Sequence, residues 1–119
     1  MERIEAIFRD GKEIIRIDFQ GLEEDDNVIA FLTEIKNYVL NFNRPTLQLT
    51  NITGVYFTPS VMNQVSAITK ETEHLVIKDA IVGVVGVKKI LLQVYNTLVR
   101  GKAKAFNTEE DAIAWLVKE

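Results

Sequence analysis

From Arg3 to Arg9 the apolar residues Ile4, Ala6 and Phe8 alternate with charged ones, and Ile15, Ile17 and Phe19 repeat the alternation. A period of two marks half-buried strands. Between them Asp10-Gly11 suits a tight hairpin turn in which both central residues need positive φ, which predicts two antiparallel neighbours. Gly21 ends the second strand, and the acidic run Glu23 to Asp26 then places negative charge at the positive end of a helix dipole. The period changes there. Val28, Phe31, Leu32, Ile35, Tyr38, Val39 and Phe42 fall within an arc of roughly 120°, so a helix from about Asp25 to Asn41 packs on a sheet. Asn43, Arg44 and Pro45 break it and feed a third strand, Thr46 to about Thr50.

The stretch Leu47 to Met62, LQLTNITGVYFTPSVM, reads as a buried strand, a turn and a helix start. Thr58 and Pro59 have the order of an N-cap hydroxyl followed by a proline at the first helical position, where the missing N–H costs nothing. The second helix therefore runs from Pro59 to about Glu73, with Val61, Val65 and Ile68 inward and Lys70, Glu71 and Glu73 outward. Ser60 then lies in its first turn and points to solvent at the carboxyl end of a strand, where open α/β sheets place functional groups. Asp79 to Gly86 is almost uncharged and rich in β-branched residues, as expected of a central strand covered on both faces, with Gly83 inside it. Val87 to Arg100 is a third helix stopped by Gly101. Lys102 to Phe106 is a short last strand, and Thr108 with Asp111 three residues on forms an acidic capping box. The helix after it carries Ala112, Trp115 and Leu116 on one face.

The order ββαβαβαβα implies an α/β fold: a mixed, mainly parallel five-stranded sheet flanked by four helices, with the hairpin supplying the antiparallel strand. With 119 residues and 47% hydrophobic content the chain is the size of one domain, taken as residues 1–119. No apolar run approaches the roughly 20 residues that span a bilayer, and the opening MERIEAIFRD lacks a signal peptide's apolar segment. A cytoplasmic protein without a membrane span is expected. The absence of cysteine excludes disulfides, thiolate metal sites and a cysteine nucleophile.

A net charge of -3 argues against nucleic-acid binding, which needs a concentrated basic face. The first 60 residues carry 6 basic and 10 acidic side chains and the last 59 carry 8 and 7, with Lys88, Lys89, Arg100, Lys102 and Lys104 forming a loosely basic stretch. Solvated charges at helix ends account for it. The acids Glu23 to Asp26 diverge around a helix start instead of converging on a cation, so no metal site is expected. His74 follows Glu71 and Glu73 and reads as a surface histidine near a helix end. No hydrolase elbow, P-loop or GxGxxG spacing is present, so no catalytic residue and no cofactor are expected.

The third helix is less ordinary. Val87, Ile90, Leu91, Leu92, Val94, Tyr95, Leu98 and Val99 span roughly 200°, more than packing on a sheet requires. Leu92, Tyr95 and Val99, with Lys88 at the rim, form the overhang. Either the terminal helix covers it with Trp115, or it is a candidate interface for a protein partner, a homodimer or a ligand.

Strand three ending in L-x-L-x-x-x-x-G-V-x-F, the segments LTNITGVYFTPS and IVGVVGVKK, and the closing FNTEEDAIAWL together resemble the STAS domains, and most closely the small SpoIIAA-like, STAS/SEC14 group of bacterial proteins. The resemblance covers essentially the whole chain. In anti-sigma-factor antagonists the helix start reads aspartate-serine-serine-glycine and the second serine is phosphorylated. Ser60 matches that serine, while Thr58, Pro59 and Val61 replace the other three. The resemblance implies a non-catalytic regulatory or protein-binding module acting through Thr58 to Met62, with Thr58 and Ser60 as the candidate phosphorylation or partner site. Its relation to Sec14-type carriers implies the alternative, a carrier or sensor of a small apolar ligand, which needs volume that a short chain can hardly spare from its core.

Overall fold

The computed structural model describes residues 2–119. Strands β1 (Ile4–Arg9) and β2 (Lys12–Asp18) pair antiparallel, with Ile7 opposite Ile14. Asp10 and Gly11 turn between them at φ 50° and 77°, the two positive values that such a hairpin demands. Strands β3 (Thr46–Asn51), β4 (Val76–Val82) and β5 (Ala103–Phe106) continue the sheet in parallel, in the order β1-β2-β3-β4-β5. The expected mixed, mainly parallel sheet is observed.

Helices α1 (Asp25–Phe42), α2 (Pro59–Thr72) and α3 (Lys88–Leu98) link β2 to β3, β3 to β4 and β4 to β5. Because each parallel strand lies beside the one before it, right-handed crossovers put all three helices on one sheet face. The other face is left to α4 (Glu109–Val117). Two cores result. Ile15, Ile17 and Phe19 pack with Val28, Phe31, Leu32 and Val61 beneath α1 and α2, whereas Ile14, Leu49, Ala80 and Val82 pack with Ala112, Ile113 and Leu116 beneath α4. Alternation in β2 sends Ile14 and Ile15 to opposite cores, so both are buried.

Polar groups at the helix starts lock this arrangement. Thr108 Oγ1 accepts from the Asp111 amide at 3.1 Å. Arg16 on β2 donates twice to Glu109 at 3.0 and 2.8 Å, and Asn51 Nδ2 donates to the same carboxylate at 2.8 Å. The Arg16 hydrogen bond holds Glu109 below the ordinary carboxylate range, with burial opposing it. Thr58 has a double role. Its hydroxyl accepts from the Val61 amide at 3.2 Å and donates to Asp25 Oδ2 at 2.8 Å, tying the start of α2 to the start of α1. Thr58→Ala loses the cap and leaves Asp25 without this donor, so a loss of about 1–2 kcal/mol is expected in urea unfolding, against a near-neutral exposed Ser60→Ala.

Two sequence expectations are corrected. The fourth strand starts at Val76 and ends at Val82, so Gly83 follows the strand instead of lying within it and Val85 is exposed. Strand pairing continues only to the bond from the Ile52 amide to the Val82 carbonyl at 2.9 Å. The second helix ends one residue early, and Glu73–Leu75 forms a single 3-10 turn that carries His74 on the surface. Its acidic neighbours face other partners: Glu71 faces Lys36 at 3.6 Å and Glu73 faces Lys102 at 2.8 Å.

Candidate functional site

The middle of the sheet presents different surfaces to its two faces. Toward α4, Leu49, Ala80 and Val82 make an ordinary apolar floor. Toward the other three helices the same strands present Gln48, Thr50, Asp79 and Ile81. Leu32, Ile35 and Val39 of α1, Met62, Val65 and Ile68 of α2, and Leu91, Leu92 and Tyr95 of α3 with Val99 just after it form walls above this floor. They do not close on it. Val65, Ile68, Leu92 and Tyr95 are only partly buried, and a half-enclosed cavity of about 120 Å³ remains between sheet and helices. Apolar cavities of about 150 Å³ accommodate benzene, so the space suits a small molecule with part of its body toward the mouth.

Asp79 is the unusual member of the lining. Its carboxylate is buried at 2% exposure and accepts from Thr50 Oγ1 at 2.8 Å and from Tyr95 Oη at 2.6 Å. Among the described residues it has no ion-pair partner. Burial raises its pKa from 3.8 to about 6, against the opposing pull of the Tyr95 and Thr50 hydrogen bonds. Burial and the Asp79 charge push the Tyr95 phenol well above its usual value, so it stays a donor. The floor thus holds a carboxylate whose charge is met only by two neutral hydroxyls.

The remaining polar groups of the lining are turned toward the protein. Thr69 Oγ1 donates to the Val65 carbonyl at 2.6 Å, Thr72 Oγ1 to the Ile68 carbonyl at 3.2 Å, and Gln48 Nε2 to Thr46 Oγ1 at 3.0 Å. Lys88 lies in the lining near the start of α3, where its ammonium donates to the carbonyls of Ile52 at 2.9 Å and Gly83 at 3.2 Å. Desolvation lowers its pKa from 10.5. Lys88 therefore joins the loops after β3 and β4 instead of standing at a free rim.

Leu92, Tyr95 and Val99, expected as an exposed overhang with Lys88, face inward. Val99 is fully buried against Ile81 and Ala103, and Leu92 and Tyr95 pack beside them. The apolar excess of α3 is instead its opposite side, Val87, Ile90 and Val94, exposed at 56%, 61% and 51%. The terminal helix covers neither, because it lies across the sheet, where Trp115 packs against Phe106 with ring centroids 5.4 Å apart. The basic stretch is likewise dispersed: Arg100 and Lys102 both reach Glu73, and Lys104 lies over the Phe106 ring.

Thr58 and Ser60 occupy the expected N-cap and first-turn positions, and Ser60 is exposed. They flank the cavity without pointing into it: Phe57 and Met62 line it, while Val61 is buried in the adjoining core. Asp79 was missed by sequence reasoning. The expected strand begins at Asp79 and gives that residue no role; the signal lay in Val76 and Ile77 before it, which make it an interior strand position on the same face as Ile81. Among the described residues no group of three or more histidine or acidic side chains is arranged to hold a metal ion.

No protein-family model matches the chain, and no curated protein matches it. Among solved structures it is similar to an uncharacterised protein of the DUF3478 family with a SpoIIAA-like fold from Shewanella loihica PV-4, with a TM-score of 0.72 at 16% identity over 95% of this chain and 91% of that one. The chain has the SpoIIAA-like fold expected of its sequence. Among the described residues no helix is long and apolar enough to cross a membrane.

Proposed function

We propose that the protein is a non-catalytic, STAS-like module that binds a small, largely apolar ligand in the cavity between the sheet and α1, α2 and α3. The observation that carries this reading is the cavity itself. Between the sheet and α1, α2 and α3 about 120 Å³ stays open, walled by apolar side chains over a stretch of sheet whose floor is polar. Close packing is the rule in protein interiors, and a retained void forfeits dispersion contacts that Leu or Phe at Thr50 or Gln48 would restore. The SpoIIAA-like fold is compatible with such a role.

A protein-binding role for the start of α2 is the second reading, supported by its position beside the cavity. Tyr56 and Ser60 are exposed, while Phe57 and Met62 line the cavity from the same segment, so an occupied cavity can alter the surface that a regulatory partner meets.

Native mass spectrometry of protein purified from its own host is expected to show one retained small molecule per chain. Leu92→Trp, which pushes an indole from a half-buried wall position into the open space, should abolish retention while costing about 1–3 kcal/mol of stability. A wild-type protein that carries no ligand and shows no shift in NMR spectra with excess toluene overturns the proposal.

A further inference from the structure

The polar groups of the cavity differ in what they have left to offer. The hydroxyl protons of Thr50, Tyr95, Thr69 and Thr72 are all committed to partners within the protein, as are Lys88 to two backbone carbonyls and one Gln48 N–H to Thr46. What remains toward the open space is chiefly acceptor capacity, since each oxygen of the Asp79 carboxylate receives only one of the two hydrogen bonds it can take. Helices α1 and α2 contribute no charged side chain to the lining, and α3 contributes only Lys88, whose ammonium is held by the Ile52 and Gly83 carbonyls. A fatty acid entering tail-first would place methylenes against this carboxylate, and an anionic head entering first would meet like charge. Neither suits the floor.

Resting on the ligand-binding reading above, we infer that the cavity takes a small primary amine with an apolar body, entering head-first so that its ammonium donates to the Asp79 carboxylate while its body lies against Ile35, Val65, Leu92 and Val99. A ligand ammonium supplies both things the buried carboxylate lacks, a counter-charge and further donors, and charge-assisted bonds are about twice as strong as neutral ones. Hydrogen bonds from Thr50 and Tyr95 fix the carboxylate at the floor, so its orientation needs no rearrangement when the amine arrives.

The test compares probes of one size, benzylamine, benzyl alcohol, benzoate and toluene, titrated into the full chain by isothermal calorimetry and ligand-observed NMR at pH 7.5. Benzylamine is expected to bind at least tenfold more tightly than benzyl alcohol, and benzoate more weakly than either. Asp79→Asn should bring the amine to the affinity of the alcohol and leave toluene unchanged, which reports that the cavity is intact. Should that variant not fold, the wild type suffices: between pH 7.5 and pH 5 the amine should lose about tenfold in affinity as Asp79 takes up its proton, while the alcohol does not change. Benzyl alcohol or toluene binding as well as benzylamine, or an amine affinity independent of pH, overturns the amine assignment and leaves the ligand-binding reading standing. Failure of all four probes to bind the wild type overturns both.

Discussion

Gly83→Ala is expected to destabilise the fold by about 2–4 kcal/mol, because the backbone there is both left-handed and crowded. Gly83 lies at φ 96°, just beyond β4, and a Cβ at this position would meet Thr53 N, Cα and Oγ1 at 2.5 to 2.6 Å. Two of those three atoms are backbone, so the collision cannot be relieved by turning a side chain. The loops after β3 and β4 must separate. That separation also pulls the Gly83 carbonyl from Lys88, whose ammonium joins the two loops beside the cavity. Gly86→Ala is the control, with a similar left-handed φ of 59° and nothing within 4 Å of the added carbon, and it should cost only about 1 kcal/mol. Urea unfolding of the two variants measures the difference. Equal midpoints would mean that the Thr53 loop gives way freely.

Stability is expected to fall by about 2 kcal/mol between pH 4 and pH 6.5, at about 1.4 kcal/mol for each tenfold displacement of a proton equilibrium. The source is Asp79, whose carboxyl is raised from 3.8 to about 6 by burial. In that window the folded protein holds a proton that the unfolded chain has released, so raising the pH favours unfolding until Asp79 ionises in both states. Above about pH 7 Asp79 is ionised in both states and its contribution no longer changes. Glu109 acts in the opposite sense: its pKa is lowered mainly by the hydrogen bond from Arg16, so its contribution is present above the ordinary carboxylate value and is lost as pH falls below it. The two together place the stability maximum on the acid side of about pH 4.5, lower than for a protein whose carboxylates are all paired. Asp79→Asn should remove the falling limb and keep the acid limb. A wild-type stability that rises steadily to pH 7 would show that Asp79 ionises at its ordinary pH when buried.

Asp79 couples these expectations to ligand binding. An ammonium at Asp79 favours the ionised carboxylate, so occupation by an amine should flatten the falling limb as well as raise the midpoint of unfolding.

The sequence by itself determined the elements and their order. The hairpin rests on Asp10 and Gly11, whose positive φ values are a local steric matter. The starts of α2 and α4 rest on Thr58 and Thr108, whose hydroxyls reach amides three residues along the chain. The inward stripe of α1 rests on period alone. Each of these depends on interactions within a few residues, which is why they could be read before any strand was paired. Which side of α3 faces inward was of another kind. Apolar residues cover more than half of its circumference, so amphipathicity does not orient it; packing against Ile81 and Ala103 does, on the sheet face to which the strand order sends three right-handed crossovers, with α4 alone on the other. Leu92, Tyr95 and Val99 thereby became cavity wall, and Val87, Ile90 and Val94 became surface. The same topology decided the fate of Asp79. A carboxylate between Lys78 and Ala80 has no local mark of burial; its position in the chain gives it a strand, but only the pairing of β4 between β3 and β5, under α3, removes it from water and sets Thr50 and Tyr95 against it. Burial depends on what is packed around a residue, and the partners of Asp79 lie 29 positions before it, on the neighbouring strand, and 16 after it, on α3.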